Sequence, residues 1–133
     1  MTLNGAVEDR VAIQALIHSY ADAVFRRDAA DWAECWAEDA RWTLMGTEVR
    51  GRPAIVALWT QAMSGFAFVA FFAQPGLVTI EGDHATGRVW THELLEATDG
   101  TVTRPIGRYD DHYVRSADGW RFAARCYSLL RAN

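Results

Sequence analysis

Two strand-like segments in the C-terminal half of the chain carry side chains that could move protons. Because neighbouring side chains of a strand point to opposite faces, Glu93 lies on one face of the first segment and His92 on the other. In the second segment Tyr109 and Asp111 share a face, opposite His112. A carboxyl group among apolar side chains has a raised pKa and can transfer a proton, while a tyrosine hydroxyl can donate to a developing oxyanion. Imidazoles could perform the same acid–base chemistry, so the two faces are alternative candidates.

A third strand-like segment adds one guanidinium to these groups. Arg125 shares a face with Tyr127, two positions further along. An arginine beside Asp111 or Glu93 lowers the pKa of the carboxyl group and could tune it for proton transfer. The alternative is a buried ion pair, in particular between Asp111 and Arg125, that only rigidifies the fold. The sequence leaves both interpretations open.

Composition limits the classes of function. The net charge of -4 argues against nucleic acid, which needs a concentrated basic surface. All 13 basic residues are arginine, so a Schiff-base lysine is excluded. Cys35 and Cys126 form neither a disulfide framework nor a metal motif, and the four histidines show no metal-ligand spacing, so we expect no metal site. The polar start and the lack of a long apolar run predict a cytoplasmic protein with no membrane contact.

The elements that must position these side chains follow from hydrophobic spacing. Apolar residues at helical spacing predict a long helix over about residues 7–27, Asp28 caps a short helix that carries Trp32 and Trp36, and Pro53 starts a third. The strands are then predicted at about 41–45, 66–73, 77–80, 85–97, 102–115 and 120–130. This order predicts a single α+β domain over residues 1–133, in which a curved antiparallel sheet wraps around three N-terminal helices and leaves a hollow.

Five stretches in this order resemble the SnoaL-like proteins of the nuclear-transport-factor-like superfamily. The resemblance is nearest to the branch that holds scytalone dehydratase and hexachlorocyclohexane dehydrochlorinase. It implies a cone-shaped α+β barrel with an apolar pocket for a small hydrophobic molecule, chemistry without cofactors, and a homodimer or homotrimer built on the outer sheet face. The stretches are AIQALIHSYADAV, WAEDARW, GRPAIVALW, EGDHATGR and GRYDDHYVRSADGWRFAAR.

The same resemblance implies which face lines the pocket. It turns Arg125 and Tyr109 inward, and strand alternation takes Tyr127 and Asp111 with them. The resemblance also places Thr91 and Glu93 inside, so the predicted catalytic set is Glu93, Tyr109, Asp111 and Arg125. His92 and His112 are then assigned to the outer face. The predicted pocket-lining set combines helix and strand positions: Tyr20, Val24, Phe25, Trp42, Thr91 and Tyr127.

One feature of the dehydrochlorinase-like relatives has no counterpart in this alignment. They pair an Asp near the end of the first helix with a His on the strand after the third helix. The aligned positions hold Phe25 and, nearby, Ala70. We therefore expect the dyad to be missing and Phe25 to serve as a pocket wall, because a phenyl ring cannot orient an imidazole.

Three functions are compatible with these observations. The first is a cofactor-free lyase, isomerase or cyclase that acts on a small ring-containing metabolite. The second is a non-catalytic binding module for an apolar molecule, or an accessory subunit of a partner enzyme. The third is an assembly subunit whose outer sheet, with Trp90, His92 and His112, is the working surface.

Overall fold

The computed structural model describes residues 3–133 and contains three helices and seven strands. The helices pack against one side of the sheet, as the amphipathic pattern predicts. In chain order the elements are α1 (Val7–Arg26), α2 (Ala29–Glu34), β1 (Trp36–Leu44), β2 (Thr47–Arg50), α3 (Arg52–Met63), β3 (Phe66–Glu81), β4 (His84–Ala97), β5 (Val102–Thr103), β6 (Ile106–Ser116) and β7 (Gly119–Arg131).

Helix boundaries follow the predicted signals closely. The buried face of α1 repeats at helical spacing through Ile13, Ile17, Tyr20 and Val24. The carboxylate of Asp28 accepts a hydrogen bond from the backbone N–H of Asp31 at 3.0 Å, which confirms the predicted cap of α2. Pro53 lies in the first turn of α3, as predicted. Its missing backbone N–H costs nothing there, because the N–H groups of a first helical turn have no partner within the helix.

The sheet differs from the prediction in one pairing and in its closure. Its strand order is β2-β1-β7-β6-β4-β3, with β5 paired to β4. Neighbours pair antiparallel except β1 and β7, which run parallel, so the predicted all-antiparallel sheet is wrong at this pair. The curved sheet is also not closed into a barrel, because β2 and β3 remain at its two ends. The open side is where the helices cover the hollow.

Three further differences from the predicted elements occur at Trp36, Pro105 and Pro75. Trp36, which we expected in the second helix, begins β1 instead. The strand predicted at 102–115 is divided in two around Pro105, which lacks an N–H for the ladder. By contrast, Pro75 does not end β3: the strand continues with a register shift between Pro75 and Val78, as an edge strand allows.

Within residues 3–133, none of the helices is both long enough and apolar enough to span a bilayer.

Candidate functional site

An apolar cavity of about 260 Å³ lies between α1, α3 and the concave side of the sheet. Six of the residues that line it are aromatic, and Glu93 is its one acidic residue. Such a lining, mostly apolar with a few polar groups, is typical of small-molecule sites. The lining residues are Tyr20, Val24, Trp42, Leu44, Trp59, Ala62, Met63, Phe71, Glu93, Leu95, Pro105, Tyr109, Tyr127 and Leu129.

Glu93 is the titratable group of this cavity. It lies in the middle of β4, paired with Phe71 of β3, and its backbone N–H donates to the carbonyl of Pro105 at 3.0 Å. Burial raises the pKa of its carboxyl group from 4.5 to about 7, because the charged form loses its hydration. A carboxyl group with this pKa is populated in both protonation states near neutral pH and can act as base or acid.

Tyr109 provides a hydroxyl group in the same cavity. Its oxygen accepts a hydrogen bond from the indole Nε1–H of Trp42 at 3.2 Å, so the hydroxyl proton is left to be donated elsewhere. Burial raises the pKa of Tyr109 well above its usual value, which keeps the phenol neutral. The result is a fixed, neutral hydrogen-bond donor beside a titratable carboxyl group.

Asp111 and Arg125 meet as a buried ion pair, but they lie outside the cavity lining. The Arg125 Nε and Nη2 donate to the two carboxylate oxygens of Asp111 at 2.8 Å and 3.1 Å. Tyr113 donates its hydroxyl to the same carboxylate at 3.0 Å. The two side chains are only 1% and 0% exposed, so the pair matches the structural alternative rather than a group that touches a ligand.

Aromatic rings separate this ion pair from the cavity. The guanidinium carbon of Arg125 lies 3.8 Å from the ring centroid of Tyr109 and 4.5 Å from that of Tyr20, both within cation–π distance. Tyr20 and Tyr109 also line the cavity, so Arg125 packs on their rings from the side opposite the cavity and holds them in place. Its place in the site is that of a positioning residue.

The predicted pocket-lining set divides into two groups. Tyr20, Val24, Trp42 and Tyr127 line the cavity. Thr91 is 2% exposed and lies outside the lining; its hydroxyl has no hydrogen-bond partner among residues 3–133.

Phe25 is placed differently from our expectation of a pocket wall. Its side chain is 42% exposed and its ring packs on Phe72 with centroids 5.3 Å apart. The cause is helical geometry, because each residue of α1 is rotated by about 100° from the previous one. Val24 therefore points into the cavity, while Phe25 points towards the exposed Phe72 of the edge strand β3.

The orientation of the strands agrees with the face implied by the family resemblance. His92 and His112 are exposed on the outer side of the sheet, whereas Tyr109 and Asp111 are 4% and 2% exposed on the inner side. The alternative site built from the two imidazoles is therefore not formed. Among residues 3–133 no group of three or more His, Cys, Asp or Glu side chains is arranged to hold a metal ion.

Several lining residues were missed from the sequence. Trp59 and Met63 come from α3, to which the prediction gave no part in the pocket. Their spacing of four residues, with Ile55 one turn earlier, is the signal that could have identified this face of α3. Leu44, Phe71 and Leu95 could have been found by extending strand alternation along β1, β3 and β4.

Gly107 makes room for one wall of the cavity. A Cβ atom at this position would overlap the ring and hydroxyl of Tyr127. We expect Gly107→Ala to lower the free energy of unfolding by about 1–3 kcal/mol, because the ring must leave its place. Urea denaturation measures this change, and the double variant Gly107→Ala/Tyr127→Ala is the control. The explanation is wrong if alanine at position 107 costs as much with the Tyr127 ring removed as with it present.

The three helices, the curved sheet and the cavity between them together define an NTF2-like α+β fold. A family model for the SnoaL-like domain matches residues 5–126, so the chain belongs to the SnoaL-like family. The uncharacterized protein Rv2910c of Mycobacterium tuberculosis is 30% identical over 124 residues, which are 90% of this chain and 84% of that protein.

Solved structures agree with this assignment. A candidate aromatic ring hydroxylase from Novosphingobium aromaticivorans has a TM-score of 0.89 and 26% identity, covering 98% of this chain and 96% of its own. Hexachlorocyclohexane dehydrochlorinase (LinA) has a TM-score of 0.87 and 19% identity, covering 96% and 88%. A scytalone dehydratase-like structure is also similar. At these identities the two lyase-type structures confirm the predicted fold.

Proposed function

We propose that this protein is a cofactor-free enzyme of the lyase, isomerase or cyclase type that acts on a small hydrophobic ring-containing metabolite. The observation that carries the proposal is Glu93, a half-buried carboxyl group that faces an otherwise apolar cavity, where loss of hydration raises its pKa to about 7. Perturbed carboxyl groups in apolar clefts are typical of acid–base catalysis. Tyr109 supplies the hydrogen-bond donor that such chemistry needs.

The two groups suit the removal of a proton from carbon next to a carbonyl group. Glu93 takes the proton, and the electron pair of the C–H bond moves into the carbonyl, whose oxygen becomes an enolate. Tyr109 donates its hydroxyl to that oxygen, and hydrogen bonding to developing charge lowers the barrier. The enolate can then expel a leaving group, take the proton back at another carbon, or attack a second carbonyl group. These outcomes correspond to a lyase, an isomerase and a cyclase.

Cavity size limits the substrate. An apolar cavity of about 150 Å³ holds benzene, so 260 Å³ suits a substituted single ring or a small bicyclic molecule. The rings of Tyr20, Trp42 and Trp59 offer flat apolar surface to such a ligand.

The proposal replaces the family dyad with a single carboxyl group. We infer that Phe25 and Ala70 leave no Asp–His pair, and that Glu93 takes over proton transfer from a neighbouring strand. Asp111 and Arg125, which we predicted as catalytic, then act by holding the Tyr109 ring.

The oligomeric state and the cellular location of the protein are also part of the proposal. We infer a homodimer or homotrimer through the outer sheet face, where Phe72, Trp90 and Ile106 are exposed. Sedimentation of the purified chain measures this assembly. The free thiols of Cys35 and Cys126 support a reduced, cytoplasmic location.

Hydrogen–deuterium exchange tests the proposed chemistry without knowledge of the natural substrate. Purified protein is incubated in D₂O with a panel of one-ring and two-ring ketones, and exchange beside the carbonyl is followed by NMR. We expect exchange above the buffer rate for at least one ketone. Glu93→Gln should reduce that rate by at least about 100-fold, because it removes the base. Tyr109→Phe should reduce it by about 100-fold through loss of the oxyanion donor.

Glu96→Gln is the matched control. Glu96 is also on β4, but it is an odd number of positions from Glu93 and therefore lies on the opposite face of the strand. It should exchange at the wild-type rate. Ketones that bind without any exchange above the buffer rate would contradict the enzyme and leave the binding module as the function of the cavity.

A further inference from the structure

The charges around the cavity are strongly unbalanced. Glu93 is an acid, and the cavity lining contains no arginine or histidine. A ligand that enters this site therefore meets one carboxyl group with no compensating basic side chain in the wall. The sign of the ligand's own charge then affects its binding, because charges in a partly buried site are screened less than charges on the open surface.

Arg125 does not supply the missing positive charge. Its guanidinium is bound at two points by Asp111, and both side chains are almost completely buried. Tyr20 and Tyr109 cover it on the cavity side, with ring centroids at 4.5 Å and 3.8 Å. The pair is close to neutral as a unit, so it adds little positive potential at the cavity.

The remaining walls add to the preference for positive charge. The rings of Trp42, Trp59, Phe71 and Tyr127 line the cavity and are not stacked on Arg125. Aromatic faces carry partial negative charge and attract ammonium groups. A protonated amine on a ring compound would thus meet a carboxylate and aromatic faces, whereas a ring carboxylate would be repelled by Glu93 with no positive side chain in the lining to offset that repulsion.

We propose that Glu93 makes the cavity a charge-selective site that accepts ring compounds bearing a protonated amine and rejects ring carboxylates of the same shape. Neutral ring compounds lie between these two in affinity. This deepens the proposed function, because it rests on the same cavity and names the class of molecule that can reach the catalytic carboxyl group. Phosphorylated or carboxylated ring metabolites are excluded from it.

Three probes of nearly equal shape test the selection: benzylamine, benzyl alcohol and benzoate. Binding to the purified wild-type protein is measured by isothermal titration calorimetry at pH 8. We expect benzylamine to bind at least 10-fold more tightly than benzoate, with benzyl alcohol in between. In Glu93→Gln the ratio of benzylamine to benzoate affinity should fall to within about threefold. Glu96→Gln should keep the wild-type ratio.

A measurement on the wild-type protein covers the case in which Glu93→Gln does not fold. The Glu93 carboxyl carbon is followed by NMR, with its signal assigned through its bonded connection to the Glu93 backbone, and benzylamine should lower its titration midpoint while benzoate raises it. A benzylamine-to-benzoate ratio that is near one in the wild type, or unchanged in Glu93→Gln, would overturn the charge selection.

The outcomes separate this inference from the proposed function. Ketone exchange that persists without charge selection would refute the inference alone. Charge selection without exchange of any ketone would support the inference and contradict the enzyme. If none of the three probes binds at millimolar concentration, the cavity is not a ring site and both fail.

Discussion

Replacing Arg125 by methionine is expected to lower the free energy of unfolding by about 3–5 kcal/mol, the usual cost of leaving a buried charge without its partner. The carboxylate of Asp111, which is 0% exposed, would then keep only the hydroxyl of Tyr113 as a hydrogen-bond donor. Methionine has a similar volume and can fill the space under the Tyr109 ring. Urea denaturation at neutral pH measures the loss.

Two further variants show whether charge is the cause. Asp111→Asn combined with Arg125→Met removes both charges and should recover at least half of the loss, because no uncompensated ion remains. Arg108→Met breaks the partly exposed pair with Asp110, whose atoms are 3.1 Å apart, and should cost no more than about 1 kcal/mol. A cost for Arg125→Met as small as that for Arg108→Met would contradict the buried pair.

Glu93→Gln is expected to gain stability relative to the wild type as the pH rises. The pKa of Glu93 is 4.5 in the unfolded chain and about 7 in the folded one, so the folded state binds more protons between these values. The wild type therefore loses stability over this interval, and glutamine does not. The difference amounts to about 3 kcal/mol, at 1.36 kcal/mol for each pH unit between the two pKa values.

The measurement is a series of urea denaturation curves from pH 4.5 to pH 8 for both proteins. The free energy of unfolding of Glu93→Gln minus that of the wild type should rise by about 3 kcal/mol across the series. Glu96→Gln removes the same formal charge from the opposite face of β4 and serves as the control. A difference that stays constant with pH for Glu93→Gln would show that the carboxyl group is solvated.

The strand faces were predictable because alternation is a property of the backbone. Once one residue of a strand is known to point inward, every second residue follows until a β-bulge interrupts the pattern, and Thr91, Tyr109, Asp111 and Arg125 are indeed buried. β7 contains such an interruption, because its register against β6 shifts between Phe122 and Ala124, so that Phe122 and Arg125 are both buried although three positions apart. The helix faces were predictable for the same reason, with a different period. Such periodic rules do not depend on the details of packing.

The roles of individual residues were less predictable, because they depend on distances that no periodic rule supplies. Asp111, Arg125 and Glu93 all point inward, yet two of them neutralise each other behind aromatic rings and only the third faces the cavity. The parallel pairing of β1 with β7 brings distant segments together and had no local signal. Phe25 was assigned to the pocket wall by alignment. It follows Val24 on α1, and the rotation of one residue turns its side chain out of the cavity and onto Phe72.

The titration of Glu93 itself tests the central claim most directly. Carboxyl carbons of glutamate, labelled with ¹³C, are followed by NMR from pH 4 to pH 9, with Glu93→Gln used to assign the signal. A midpoint near pH 7 is expected for a carboxyl group held in an apolar cavity without a basic partner. A midpoint near pH 4.5 would mean that water or a cation reaches Glu93, and both the catalytic role and the charge selection would then lose their physical basis.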